Sequence, residues 1–563
     1  MFLHILSFKK NKYNEYMVKK FLTSTFFLLS IIFVLALWLR LDQLEVMPSG
    51  FHRDELIAGY SGRFILENGQ DMYGNPWPLL YIDKYGDYPP ALPAYVSGIT
   101  TYFFGSTVYA TRMPVAIIGA LTCLLLYLLA KEMFKNRRIA IFSAFFLALI
   151  PWHIVLSRAT AEGVITLPIV MGGLFFLFRF LEKQRLKYFF LFMALFFLTY
   201  FFYPSYRVLV PLLLLPVPFL FSLSKKSKYL LIGSVIFFFL VTAIVGSTTW
   251  GKGRFDQTSM FGEQSGVAIR ERVSILAQEE GSGKVDVVKT YHNKYILYSR
   301  EFVKQYLLYF SPQYLFIEGG LPYRYGVSDQ GLLPFTLLPF LLFGLMSVRK
   351  SRSRALYYLC YVLVVSPMPS PITLDDVPNV HRTLFMVVPL LLLISFGVEN
   401  VLTFIKKYRA KVFVVLVILG LLAIELIYFL HMYHHHANAV KSYTRGDTNK
   451  EVMALLVSMK DDYEYVYAPV GDAFPIYYLF ARDQYDTSVV GKIQPKLLSD
   501  GIDTVTFLDR DCIISRIPED AFGKNVLIVD LADCPEDPRL KTLQVFSRHD
   551  GTRSYRFAVP KEE

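Results

Sequence analysis

Long apolar runs with almost no charge alternate with short polar stretches through most of the chain. They fall near residues 21–39, 113–130, 139–156, 163–178, 188–203, 208–223, 229–246, 331–347, 355–372, 384–400 and 412–430. Crossing roughly 30 Å of hydrocarbon takes about 20 apolar residues in a helix, so each run predicts a spanning helix, the shorter ones completed by flanking residues. These eleven runs predict a polytopic α-helical membrane module over residues 1–430. Beyond about residue 437 the periodicity changes. Residues 449–460 and 474–481 read as helices, and 465–467, 504–508 and 526–529 as strands. His549-Asp550-Gly551-Thr552 signals a turn between two final strands. Residues 431–563 thus predict a small α/β domain.

Composition agrees with the class: 54% of residues are hydrophobic, and the mean hydropathy is +0.39. A net charge of +12 would suit a nucleic-acid partner if it formed a patch. Instead the Lys and Arg residues sit in short loops between apolar runs, as membrane orientation requires, and no nucleic-acid partner is expected. Lys9, Lys10, Lys12, Lys19 and Lys20 precede the first run and place the N-terminus in the cytoplasm. Every second loop after that is basic: 131–138, 179–187, 225–228, 349–354 and 406–411. Residues 89–104 would invert this pattern if they crossed, so they are expected to lie at the outer interface. The first run lacks a small-residue cleavage signature and reads as a retained helix. The expected location is the cell (plasma or inner) membrane, with the C-terminal domain outside the cytoplasm.

The three large segments, 40–111, 247–330 and 431–563, all fall on the outer side. The inner loops are too short to bind a nucleotide, so chemistry on a soluble group belongs outside. Cys123 and Cys360 lie in apolar runs and read as packing residues. Cys512 and Cys534 lie in the outer domain and could pair there. His431, His434, His435 and His436 form either a metal-binding cluster or an ordinary interfacial segment.

The first outer segment carries the most distinctive chemistry. It holds eight acids and four bases, and ionised groups cannot rest in lipid, where each costs several kcal/mol. Asp54 and Glu55 stand side by side in Phe51-His52-Arg53-Asp54-Glu55, and Tyr85-Gly86-Asp87-Tyr88-Pro89-Pro90 follows as a turn. One reading is a solvated loop whose acids pair with Arg53, Arg63 and Lys84. The other is a site in which Asp54 and Glu55 act as acid or base and aromatic residues stack on a sugar. No spacing indicates zinc, and the two acids alone make a poor magnesium cage, so no cofactor or metal is required.

Residues 48–58, the 86–90 turn, Arg112-Met113-Pro114, residues 311–316 and residues 378–383 resemble motifs of the GT-C membrane glycosyltransferases. The resemblance runs over roughly residues 20–430, and its nearest branches are the protein O-mannosyltransferases and the aminoarabinose lipid A transferases. It implies transfer of a sugar from a polyprenyl-phosphate carrier to an extracytoplasmic acceptor, with inversion at the anomeric carbon. It makes Asp54 the base, Glu55 a neighbour that either orients the acceptor or supports Asp54, and Arg112 the contact to the donor phosphate. Two adjacent carboxylates would raise one another's proton affinity. Arg382, Lys84 and Arg158 are further phosphate candidates, since Arg suits bidentate oxygen contact. Tyr85, Asp87 and Tyr88 in the turn, with His52 and Arg53 beside the acids, are candidate substrate contacts. The aminoarabinose transferases have Lys where this chain has Tyr88. The acceptor remains open between protein hydroxyl, glycolipid and polysaccharide. Competing classes are a lipid-linked saccharide transporter, for which Glu425 would be a path residue, and an inactive glycan-binding scaffold.

Overall fold

The computed structural model describes residues 24–83, 88–248, 251, 259–261, 263–281, 290–373, 376–489, 501–509 and 512–561. A helix occupies each apolar run: Thr25–Leu41, Val108–Phe134, Arg137–Leu149 with Pro151–Ser157, Glu162–Lys183, Leu186–Thr199, Ser205–Leu214, Lys225–Ser247, Leu338–Ser351, Arg354–Val365, Val387–Phe404 and Tyr408–His431. Among the described residues, five helices are long and apolar enough to cross a bilayer, or six if the bent pair is one span. Several others, such as Leu186–Thr199 and Arg354–Val365, are shorter apolar helices. A multi-helix membrane module is therefore observed, while helix length does not establish a count of eleven.

Local chemistry sets the helix ends. The Ser24 hydroxyl accepts the Phe27 amide at 3.2 Å, and Thr107 accepts that of Ala110 at 3.0 Å. Asn136 caps Arg137–Leu149 by accepting Arg138 N at 2.8 Å. Pro151, which has no N–H to continue the ladder, follows a 57° bend between Arg137–Leu149 and Pro151–Ser157. At the predicted inner end, the buried acid Glu132 is shared by Lys135 at 2.8 Å and Arg179 at 3.0 Å, so two of the basic loops are tied together.

Residues 92–104, part of the segment placed at the outer interface by charge, form a helix of 13 residues. It packs on the helix Arg53–Asn68 through facing glycines. A Cβ built on Gly62 would lie 1.9 Å from the Ala94 carbonyl oxygen, and one on Gly98 2.2 Å from the Gly62 carbonyl carbon. Its other side exposes Ile99, Tyr102, Phe103 and Phe104, an aromatic face suited to the membrane boundary.

The C-terminal region forms a five-stranded sheet in the order β2-β1-β3-β5-β4. β1 (Tyr465–Pro469) pairs in parallel with β2 (Val505–Leu508) and β3 (Val526–Leu531). β5 (Arg553–Pro560) pairs antiparallel with β3 and with β4 (Leu540–Ser547). Helices Asn449–Met459 and Phe474–Ala481 match the two read from periodicity. Cys512 and Cys534 are joined as a disulfide. One core includes Val466, Phe474, Tyr478 and Phe557 of this region together with Leu56, Tyr60 and Phe64 of Arg53–Asn68. The sheet region and the first outer helix therefore bury their apolar faces against each other.

The glycine contact gives a direct expectation. Gly62→Ala should destabilise the protein by about 1–3 kcal/mol, because the Ala94 carbonyl is rigid backbone. Gly233→Ala, at a helical site with nothing within 4 Å of the new methyl, should be neutral or stabilising by up to about 1 kcal/mol. Thermal unfolding of both variants in detergent measures the difference.

Candidate active site

His52 starts the helix that carries Asp54. Its Nδ1 lies 3.1 Å from the Asp54 amide and accepts one of the N–H groups left open at a helix start. Asp54 and Glu55 occupy the first turn, where the helix dipole favours negative charge. Consecutive helix positions point about 100° apart, and these two carboxylates diverge accordingly. Glu55 turns inward and takes Arg112 Nε at 2.6 Å and Nη2 at 3.2 Å. Asp54 turns outward, its side chain 37% exposed, with Arg324 Nη2 at 3.1 Å. The expected mutual influence of two adjacent carboxylates gives way to separate ion pairs, one per acid.

Arg112 is fully enclosed. Besides Glu55 it donates to the carbonyls of Leu44, Pro48 and Gly50, at 3.3, 3.0 and 2.7 Å. Every N–H of the guanidinium is then engaged. In this arrangement Arg112 fastens the loop leading into the Asp54 helix and presents no free donor to a phosphate. Arg158 behaves alike, bonding the carbonyls of Leu39, Asp42 and Met47 from a fully buried position.

Arg324 supplies the cation that the sequence reading missed. Its Nη1 lies 3.1 Å from His52 Nε2, and its guanidinium sits over the Tyr325 ring at 5.0 Å. Buried Arg445 holds this turn by donating to the carbonyls of Tyr323 and Gly326, at 3.3 and 3.1 Å. The only hint in the sequence is an arginine flanked by tyrosines, Tyr323-Arg324-Tyr325, in an outer segment. Burial pushes the Tyr325 hydroxyl up to about 12, with Arg324 pulling the other way.

Behind this pair lies a buried layer. His381 Nε2 accepts the Gly163 amide at 2.8 Å and lies 3.5 Å from Glu162 Oε2. The ring sits between Tyr203, at 4.6 Å, and Tyr325, at 5.7 Å. Burial, then the charges of Arg324 and Arg382, lower the His381 pKa to about 3, so the imidazole is neutral. Asn379 sets the turn by accepting the amides of His381 and Arg382 at 3.0 and 2.7 Å.

Arg382 Nη1 donates to Thr373 Oγ1 at 2.6 Å. Arg382 and Arg207 both line a cavity of about 410 Å³ whose walls include Pro204, Val208, Val245 and Ile372. This is an apolar groove with two guanidinium groups in its lining. Among the remaining candidates, Arg53 is exposed and Tyr88 meets Tyr81 edge-on at 5.3 Å. Lys84, Tyr85 and Asp87 lie outside the described residues. Among the described residues no three metal-ligating side chains converge to hold an ion.

Residues 87–245 match the family model described as dolichyl-phosphate-mannose-protein mannosyltransferase. The match begins after Asp54 and includes Arg112, Glu162, Tyr203 and Arg207. The fold is similar to that of ArnT from Cupriavidus metallidurans bound to undecaprenyl phosphate, with a TM-score of 0.53 at 12% identity over 95% of this chain and 98% of that one. It is also similar to the archaeal oligosaccharyltransferase AglB from Archaeoglobus fulgidus, in complex with an inhibitory peptide and a dolichol-phosphate. There the TM-score is 0.50 at 14% identity, over 90% of this chain and 69% of that one. No curated protein matches the chain in sequence. The helical module with its C-terminal sheet places the fold beside those of ArnT and AglB, and residues 87–245 carry the family match.

Two outcomes test this geometry. Arg112→Gln leaves Glu55 buried without its partner and should cost about 3–5 kcal/mol of stability, read as a large fall in the thermal midpoint. The second concerns pH. His381 is depressed from 6.5 to about 3 in the fold, so the unfolded chain binds the extra proton between those values. Its contribution to stability is complete above about 6.5 and is lost progressively as pH falls toward 3. Denaturant unfolding at several pH values should show a shallower acid slope in His381→Gln than in the parent.

Proposed function

We propose that the protein is an inverting glycosyltransferase, taking a sugar from a polyprenyl-phosphate carrier and giving it to a hydroxyl-bearing acceptor outside the cytoplasm. The observation that carries this reading is the apolar cavity lined by Arg207 and Arg382, close to the Asp54–Arg324 pair. The charges of Arg324 and Arg382 both act on the same buried ring, His381. An isoprenoid chain suits the apolar walls, and a phosphate suits the guanidinium groups.

In the proposed reaction Asp54 accepts the proton of the acceptor hydroxyl as its oxygen attacks the anomeric carbon. The bond from that carbon to the carrier phosphate breaks, and its electron pair leaves with the phosphate. The transition state is oxocarbenium-like, so a base on one side and fixed cations on the other are both required. Arg382 and Arg207 offset the charge of the departing phosphate. Arg324 holds the Asp54 carboxylate and aims it. Glu55 supports the same turn from inside through Arg112. Glu162, next to His381, is a second acid near the site and is suited to orienting sugar hydroxyls. The likeness to ArnT bound to undecaprenyl phosphate and AglB bound to a dolichol-phosphate supports a lipid-linked donor. The transporter reading weakens, because Glu425 accepts the Thr336 amide at 3.2 Å from one oxygen and 3.4 Å from the other. It is the ordinary partner of a helix-end N–H.

Asp54→Asn should lower transfer from a radiolabelled polyprenyl-phosphate sugar in membranes by about 10²-fold or more, with donor binding within a few-fold of the parent. Arg382→Ala should instead weaken donor binding by about tenfold. Normal transfer by the Asp54 variant would remove the base assignment.

A further inference from the structure

A second cavity, of about 600 Å³, opens beside the outer ends of Thr25–Leu41 and Tyr408–His431. Its lining includes His431, His434, His435 and His549, with Arg158 in the wall. Arg158 is 1% exposed, and its only hydrogen-bond partners among the described residues are the three carbonyls named above. Arg40 lies near enough for the two charges to repel, and it is bonded to the carbonyls of Ala36, Leu147 and Ala148 and to the His153 ring. Two buried guanidinium groups thus stand together, and neither pairs with a carboxylate among the described residues. Such a charge pair calls for a nearby anion. Asp42 is the one acid in the cavity lining and offsets only part of it.

The rest of the lining says what kind of anion fits. Trp38 and Val46 contribute apolar surface that is 53% and 59% exposed, next to Leu430. A half-exposed tryptophan at the end of a membrane helix marks the lipid interface. The His431 and His435 rings lie 5.0 Å apart, and among the described residues no three metal-ligating side chains converge on a point, so a polyatomic group with several acceptor oxygens suits them better than a metal ion. We propose that this cavity binds the phosphate headgroup of an anionic outer-leaflet lipid. The headgroup oxygens take imidazole N–H groups and the field of Arg158, while the glycerol and acyl portions lie against Trp38 and Leu430. This site is independent of the transfer reaction. It adjoins that reaction's scaffold, because Arg158 also fastens Met47, within the loop that Arg112 holds.

His549 already bonds Asp447 through its ring and amide, so the residues to vary are the other three. The test is native mass spectrometry of the full chain in neutral detergent with added phosphatidylglycerol. The expected result is one tightly retained lipid in the parent, and about tenfold weaker retention when His431, His434 and His435 are all changed to alanine. Equal retention by both proteins, with melting temperatures unchanged, overturns the proposal. Trp38→Ala separates the two sources of phosphate: lower lipid retention supports the lipid assignment. If the variant instead keeps its lipid, and inorganic phosphate displaces lipid at equal concentration, a free-anion site replaces it. Zinc retained by the parent and lost in the triple variant, with lipid retention equal in both, would make the cluster a metal site and also overturn the proposal. Arg158→Gln serves as a charge control and should weaken phosphatidylglycerol more than phosphatidylcholine.

Discussion

The buried ion pair between Glu55 and Arg112 fixes the geometry on which the candidate site depends. A charge taken out of water must be met by a partner and by hydrogen bonds for its remaining atoms, or the fold pays several kcal/mol. Arg112 meets that condition by gathering Glu55 and three carbonyls of the 44–50 loop. The entry of the chain into the Asp54 helix is therefore set by one guanidinium. With Glu55 locked inward, the helical step alone sends Asp54 outward to Arg324. A change that released Glu55 would rotate or fray the turn that carries Asp54.

The C-terminal region extends this constraint. Gly50 has a φ of +73°, and a Cβ there would lie 2.6 Å from the Arg445 carbonyl oxygen, so the loop and the C-terminal segment touch backbone to backbone. The Tyr477 hydroxyl donates to the Phe51 carbonyl, one residue before the helix cap. On the opposite side Arg63 bonds Asp483 at 2.5 and 3.1 Å and lies over the Tyr485 ring at 4.2 Å. Arg445 also orders the turn that carries Arg324. Residues from beyond the last membrane helix thus fasten both members of the Asp54–Arg324 pair. Described as a separate module, the C-terminal region would leave that pair without its support.

Much of this architecture was legible in the sequence, for identifiable reasons. Helices occupy the apolar runs because hydrocarbon demands that the backbone satisfy its own polar groups. Helix 474–481 and the turn at 549–552 were readable from local periodicity and turn chemistry. The exposure of Asp54 was readable because a charged cluster beside a membrane run is costly unless it faces water. Arg324 was not readable, since nothing local marks a tyrosine-flanked arginine as the partner of an acid so distant in sequence. The pairing of Arg112 with Glu55 was not readable for a related reason: the same residue type suits a phosphate and a buried carboxylate, and only burial distinguishes them. The Gly62–Gly98 contact and the core shared by the outer helix and the sheet are tertiary facts with no period in the sequence.

The neutrality of His381 bears on how one site can keep an anion and its counter-charges apart. On the proposed reading, Asp54 must stay available to a proton while Arg207 and Arg382 meet a phosphate nearby. A protonated imidazole between them would add a positive charge in a region of low dielectric, where charges act strongly over several ångströms. It would compete with Arg324 for the carboxylate and make Asp54 a weaker base. Burial between Tyr203 and Tyr325, with the charges of Arg324 and Arg382 acting on the ring, prevents this by making protonation costly. The Gly163 amide reinforces it by occupying the Nε2 lone pair. On the proposed reading, the layer around His381 therefore does more than fill space, because a neutral ring adds no charge beside either the acid or the two guanidinium groups.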